Sequence, residues 1–144
     1  IEAVLAHELG HFKCNHIRKR ILLLAIIFFI GLGILGWLIN QAWFFNGLGV
    51  TQASTYIALL LFLIASPAFT FFLQPFFSFI SRQHEFEADD FAAGQAQTEN
   101  LISALVNLYR ENANTLTPDP LYSAFHDSHP PAPIRIEHLK NKFA

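Results

Sequence analysis

The sequence predicts an all-α fold, a membrane helical bundle fragment. It reads as an HExxH helix, a two-span transmembrane hairpin, an ExxxD helix and a small C-terminal helical segment. Three observations predict this. Between Arg20 and Arg82 there is no Asp, Glu, Lys, Arg or His. That charge-free length contains two apolar runs, 21–45 and 56–80, each longer than the ~20 residues that cross a bilayer core. The segments flanking it carry histidines and carboxylates at four-residue spacing, which puts them on one face of a helix.

Composition bounds the alternatives. The 144 residues are 53% hydrophobic and include 16 Phe, so a soluble domain of this size would have to solvate apolar length that only a lipid bilayer accommodates. A formal net charge of −2 gives no nucleic acid a basic surface to bind. The single Cys14 cannot build a disulfide framework. There is no Met, and Ile1 already lies in the first helical pattern. The reading is therefore the C-terminal part of a single, larger domain, with no signal or transit peptide legible.

Residues 1–20 read as one helix. IEAVLAHELGHF contains good helix formers apart from Gly10, whose lack of a side chain suits close approach of another segment. His7 and His11 lie four apart, one turn or roughly 6 Å of rise, and can offer two imidazole nitrogens to one metal ion. Glu8 sits about 100° around the same helix, where it can work on a metal-bound water. His16 follows His11 by five positions, about 140° off the metal face, and reads as a surface or packing histidine. Cys14 reads as inert packing. A basic end follows at Lys13 and Arg18-Lys19-Arg20.

The first span, 21–45, has Trp37 and Trp43 toward its far end, where aromatic residues favour the interface. Gly31, Gly33 and Gly36 allow close helix contact in lipid. Residues 46–55 are an uncharged turn. The second span, 56–80, contains Pro67 and Pro75, which predict kinks. Basic residues lie before the first span and after the second, at Arg18, Lys19, Arg20 and Arg82, and none lies in the turn. The positive-inside rule then puts both outer ends in the cytoplasm. The hairpin would return residues 82–90 to the histidine helix.

A catalytic zinc has three protein ligands and an open position, so the histidine pair needs a third ligand. Glu85 is the candidate. Asp89, one turn on, would accept the other ring N–H of a ligand histidine and fix its orientation. Glu87 lies about 200° from Glu85 and cannot face the same ion. Beyond it, 98–112 alternates as an amphipathic packing helix, with Leu101, Leu105 and Leu108 on one side. Residues 115–120 read as a loop, 123–133 as a polar, proline-rich run, and 134–142 as a short basic helix. From the residues alone, His126 and His129 are equal candidates for a hydrogen-bond donor, and Arg135 could support the site or cap a helix.

HELGH, two spans, SRQHEFEAD and then FHDSHPPAPIRIEHL occur in that order. Together they resemble the integral-membrane zinc metallopeptidases of the type I CAAX prenyl endopeptidase family, over nearly the whole chain. The resemblance implies one Zn2+ per chain on His7, His11 and Glu85, with Glu8 as general base. It also implies that His129 stabilises the oxyanion and that Arg135 supports the site. The partners it implies are a peptide or protein substrate, C-terminally prenylated, and a lipid bilayer. It implies a multi-pass protein of the bacterial inner membrane or the endoplasmic reticulum membrane, with the active-site side cytoplasmic. The alternative within the same superfamily is a quality-control protease acting on misfolded membrane proteins. A non-catalytic zinc-binding membrane scaffold is the third reading, and Glu8 speaks against it, since a structural site needs no base.

Overall fold

The computed structural model describes residues 1–111 and 117–143. Every regular element among them is helical, as the all-α expectation requires: α1 (Glu2–Lys13), α2 (His16–Leu38), α3 (Ala42–Gly47), α4 (Thr55–Thr70), a 3-10 turn (Phe71–Leu73), α5 (Gln74–Gln95), α6 (Thr98–Glu111), α7 (Pro120–His126) and α8 (Ala132–Phe143). They form two compact units, Ile1–Ile17 with Gln74–Ala144, and Arg18–Leu73.

Four boundaries differ from the sequence reading, each for a local reason. The single helix over 1–20 is interrupted at Cys14–Asn15. Asn15 takes φ of 56°, the left-handed region that asparagine tolerates, and its N–H closes on the Phe12 carbonyl at 3.1 Å. The first span stops at Leu38 rather than residue 45. The side-chain amides of Asn40 and Gln41 reach back to the Gly36 and Trp37 carbonyls at 3.3 and 3.5 Å, satisfying acceptors the helix end leaves open. The second span is divided by the 3-10 turn just before Pro75, which cannot donate to the helix ladder. Finally, 120–126 is helical within the stretch read as an irregular run. Asp119 caps it by accepting the Tyr122 N–H at 2.8 Å, and Pro120 fits its first turn.

In the first unit α1 lies against α5 through small residues. Ala3, Ala6 and Ala92 share a buried cluster with Leu101 and Leu105 of α6 and Leu139 of α8. At Gly10 a Cβ would stand 2.9 Å from the Ala88 Cα, so the glycine is required by the approach of the two backbones. Leu108, read as part of the packing face of α6, is exposed. Asn112 and residues 115–116 of the expected loop lie outside the described residues.

In the second unit, Leu38, Phe44, Phe45 and Ala58 are buried together where α2, α3 and α4 meet. Ser54 caps α4 by accepting the Ile57 N–H at 3.4 Å. Along the rest of α2 and α4, side chains such as Phe28, Phe29, Leu63 and Ile64 are exposed. His16–Leu38 and the helical run Thr55–Gln95 are long and apolar enough to cross a membrane.

Candidate metal centre

The site lies within the first unit and follows from the close approach of α1 and α5 at Gly10. His7 and His11, one turn apart on α1, face Glu85 and Asp89, one turn apart on α5. His7 Nε2 and His11 Nε2 are 3.2 Å apart. Glu85 Oε2 lies 3.6 Å from His7 Nε2, and Glu85 Oε1 lies 3.4 Å from His11 Nε2. A tetrahedral ion with bonds of about 2.05 Å has ligand–ligand edges of about 3.3 Å, which these separations match. Glu85 is 4% exposed, and its buried Oε2 makes no hydrogen bond among the described residues. Donor types and spacing fit a metal ion.

Asp89 is completely buried and holds two partners. Its Oδ1 accepts from His7 Nδ1 at 2.9 Å, leaving His7 Nε2 turned toward the centre. Arg135, from α8, grips both its oxygens, Nε to Oδ2 at 2.7 Å and a terminal nitrogen to Oδ1 at 2.6 Å. Such a fork-to-fork pair orients as well as neutralises. The third Arg135 nitrogen stands 3.2 Å from Glu85 Oε2, so one guanidinium balances two buried carboxylates.

These contacts set the charges of the metal-free site. Burial opposes protonation of His7, yet its hydrogen bond to Asp89 and the nearby Glu85 carboxylate prevail and raise its pKa to about 9. Burial would raise the Glu85 pKa. Instead His129, His7 and Arg135 hold it far below the usual carboxylate range. Asp89 is lowered against the same burial by His7 and Arg135. His11 is lowered by burial, which outweighs the opposing pull of the Glu85 carboxylate, and the neighbouring His7 and His16 lower it further.

Glu8 is exposed on α1 beside these groups. His129 Nδ1 lies 3.1 Å from Glu85 Oε2, and its ring is 66% exposed, so it sits at the mouth of the site. His126 instead meets Gln74 at 3.2 Å, which separates two histidines that the sequence left equal. Arg82 explains how the loop after α7 is held. One of its nitrogens donates to the carbonyls of Ser123, Ala124 and Asp127 at 3.4, 3.1 and 2.9 Å. The sequence pattern marks Arg82 only as a topology-setting charge.

His16 is the clearest departure from the sequence reading. It is 4% exposed, its Nδ1 stands 2.9 Å from His11 Nδ1, and its Nε2 stands 2.9 Å from Glu87 Oε2. The left-handed Asn15 turns the chain so that a five-residue spacing no longer means about 140° of rotation. Asn after a helical run was the available signal.

Comparison with known proteins gives the family of the chain. The model of peptidase family M48 matches residues 1–142. A CAAX prenyl protease 1 homolog of Arabidopsis thaliana is 35% identical over 136 residues, 94% of this chain and 32% of that protein. The CAAX prenyl protease 1 of Saccharomyces cerevisiae is 32% identical over 154 residues, 96% of this chain and 34% of its own length. The crystal structure of S. mikatae Ste24p superposes with a TM-score of 0.83 at 31% identity, covering 95% of this chain and 35% of that one. The chain thus spans about a third of the length of the curated relatives it matches. With its two candidate membrane helices and a match that runs almost from end to end, the chain belongs to peptidase family M48.

Proposed function

We propose that this chain is the metal-binding part of a membrane zinc metalloendopeptidase that acts on C-terminally prenylated proteins. One observation carries the reading: two imidazole nitrogens and a buried carboxylate converge on one point. His7, His11 and Glu85 hold one zinc ion per chain. When bound there, zinc supplies Lewis acidity, making water easier to deprotonate and a peptide carbonyl more electrophilic.

The rest of the chemistry belongs to the chain's own residues. Glu8, exposed one position from His7, takes the proton from the attacking water and delivers it to the leaving amine. His129 donates a hydrogen bond to the developing oxyanion, for which its exposed ring beside Glu85 is suited. Asp89 holds His7 by its Nδ1, and Arg135 holds Asp89 and balances Glu85. The names of the relatives, CAAX prenyl proteases, support the substrate class. Residues 1–144 then form one part of a peptidase domain embedded in a bacterial inner membrane or the endoplasmic reticulum membrane, its active-site side facing the cytoplasm.

Zinc content and cleavage of farnesylated against unmodified peptides test this. The expected result is one zinc per chain and cleavage that depends on the prenyl group. Full activity in metal-stripped protein would sink the zinc assignment. Prenyl-independent cutting of misfolded membrane proteins would move the substrate to quality control. Glu8→Gln is expected to keep its zinc and lose roughly 10²- to 10⁴-fold in kcat. Wild-type turnover in that variant would remove Glu8 from its role.

A further inference from the structure

Each metal-facing histidine needs a partner on its other ring nitrogen to fix its tautomer and its angle. For His7 that partner is Asp89. His11 Nδ1 meets no carboxylate among the described residues; it has His16 Nδ1 at 2.9 Å. His16 in turn meets Glu87 Oε2 through Nε2 at 2.9 Å. Its ring lies flat on that of His84, with centroids 4.1 Å apart and planes within 11°. Buried at 4% exposure, it is held at both nitrogens and on one face.

The hydrogen-bond logic of this row has one solution for neutral rings. With His11 Nε2 given to a metal, its proton sits on Nδ1 and is donated to His16 Nδ1. His16 then carries its proton on Nε2 and donates it to Glu87. Each nitrogen of the two rings then has one role, and neither ring needs a second proton.

We propose that His16 is a positioning residue for the metal, the middle member of a carboxylate–histidine–histidine relay that orients His11 through Glu87. The two metal histidines are thereby held by unlike devices. His7 has a buried carboxylate clamped by Arg135, while His11 has a second imidazole whose carboxylate, Glu87, is half exposed. The break at Cys14–Asn15 is what makes this possible, because an unbroken helix would turn His16 away.

This rests on the zinc reading above, and the test separates the two. Zinc affinity of the detergent-purified protein is measured by chelator competition, alongside the visible spectrum of the cobalt-substituted form. His16→Phe keeps a ring to stack on His84 and removes both hydrogen bonds. It is expected to weaken zinc by about 10- to 100-fold and to shift the cobalt bands. His16→Asn, whose side-chain oxygen can replace Nδ1 as acceptor, is expected to restore most of that affinity. Glu87→Gln, at a half-exposed group, keeps an accepting oxygen but removes the charge, and is expected to give a several-fold loss. Wild-type zinc affinity in His16→Phe would overturn the relay, as would equal losses in the Phe and Asn variants, which would reduce His16 to packing. Unchanged affinity in Glu87→Gln would remove the carboxylate from the row. Cys14, His16 and Glu87 also lie close enough to share an ion, so two zinc ions per chain, falling to one in Cys14→Ala, would overturn the relay by making His16 a ligand. A wild-type protein that binds no zinc would instead overturn the reading on which the relay rests.

Discussion

His7 sits at the point where protons and metal compete. In the metal-free site its pKa is raised to about 9, so it is protonated at pH 7 and forms a charged pair with Asp89. The sign follows from linkage. A raised histidine stabilises the fold fully below its ordinary value near 6.5, and that contribution is lost as pH climbs through about 9. Glu85 and Asp89, both lowered, stabilise it above the ordinary carboxylate range and lose that contribution as pH falls through their depressed values. The metal-free protein is therefore expected to have its highest Tm at mildly acidic pH, falling toward pH 9. A ligand imidazole must be neutral, so zinc binding at pH 7 must expel the His7 proton. Calorimetric titration in two buffers of different ionisation enthalpy is expected to show at least one proton released per zinc. Heats that do not depend on the buffer would contradict the protonated state of His7.

At the scale of elements, the site depends on how closely α1 approaches α5. Gly10→Ala would put a methyl 2.9 Å from the Ala88 Cα and 3.0 Å from its carbonyl oxygen, both backbone atoms that cannot swing away. The expected cost is about 1–3 kcal/mol in denaturant unfolding, with weakened zinc binding as the helices part. Gly94→Ala is the control on α5. No atom lies within 4 Å of its added methyl, so helix propensity makes it neutral or stabilising by up to about 1 kcal/mol. Equal effects of the two changes would mean that the approach at Gly10 is not what holds the helices. This distinction also shows what a sequence can reveal. His7 with His11, and Glu85 with Asp89, were legible because helical periodicity alone puts each pair on one face. The gap in α1 was not, because one residue at positive φ leaves the surrounding pattern unchanged. The end of α2 at Leu38 was hidden in a continuous apolar run, where Trp43, Phe44 and Phe45 look like more span but belong to α3. His129 could not be distinguished from His126 because both lie beside a proline-rich turn, and a loop's reach has no period to read.

For the whole molecule, the governing fact is the absence of charge over 21–81 together with the exposure of its side chains. None of the most apolar stretch of α2 is buried within the protein. Apolar area in water is unfavourable by about 25 cal/mol per Å², so helices this exposed call for lipid or further helices around them. Orientation rests on the charges at the outer ends of the two spans. Arg82 donates to the carbonyls of Ser123, Ala124 and Asp127, neutral acceptors that leave its positive charge in place. The bias is therefore set by Arg18, Lys19, Arg20 and Arg82, against an uncharged connection between the two spans. Thiol labelling tests the outcome directly. In a background without other reactive cysteines, with Cys14→Ser, a thiol is introduced as Gln52→Cys in the connection or as Lys140→Cys on α8, both exposed positions. A membrane-impermeant maleimide applied to sealed cells or cytoplasm-inside vesicles is expected to reach the Gln52→Cys thiol at once. The Lys140→Cys thiol should react only after the membrane is opened. Labelling of both from the same side would mean that 21–81 does not cross as a hairpin, and with it would go the cytoplasmic placement of the metal site.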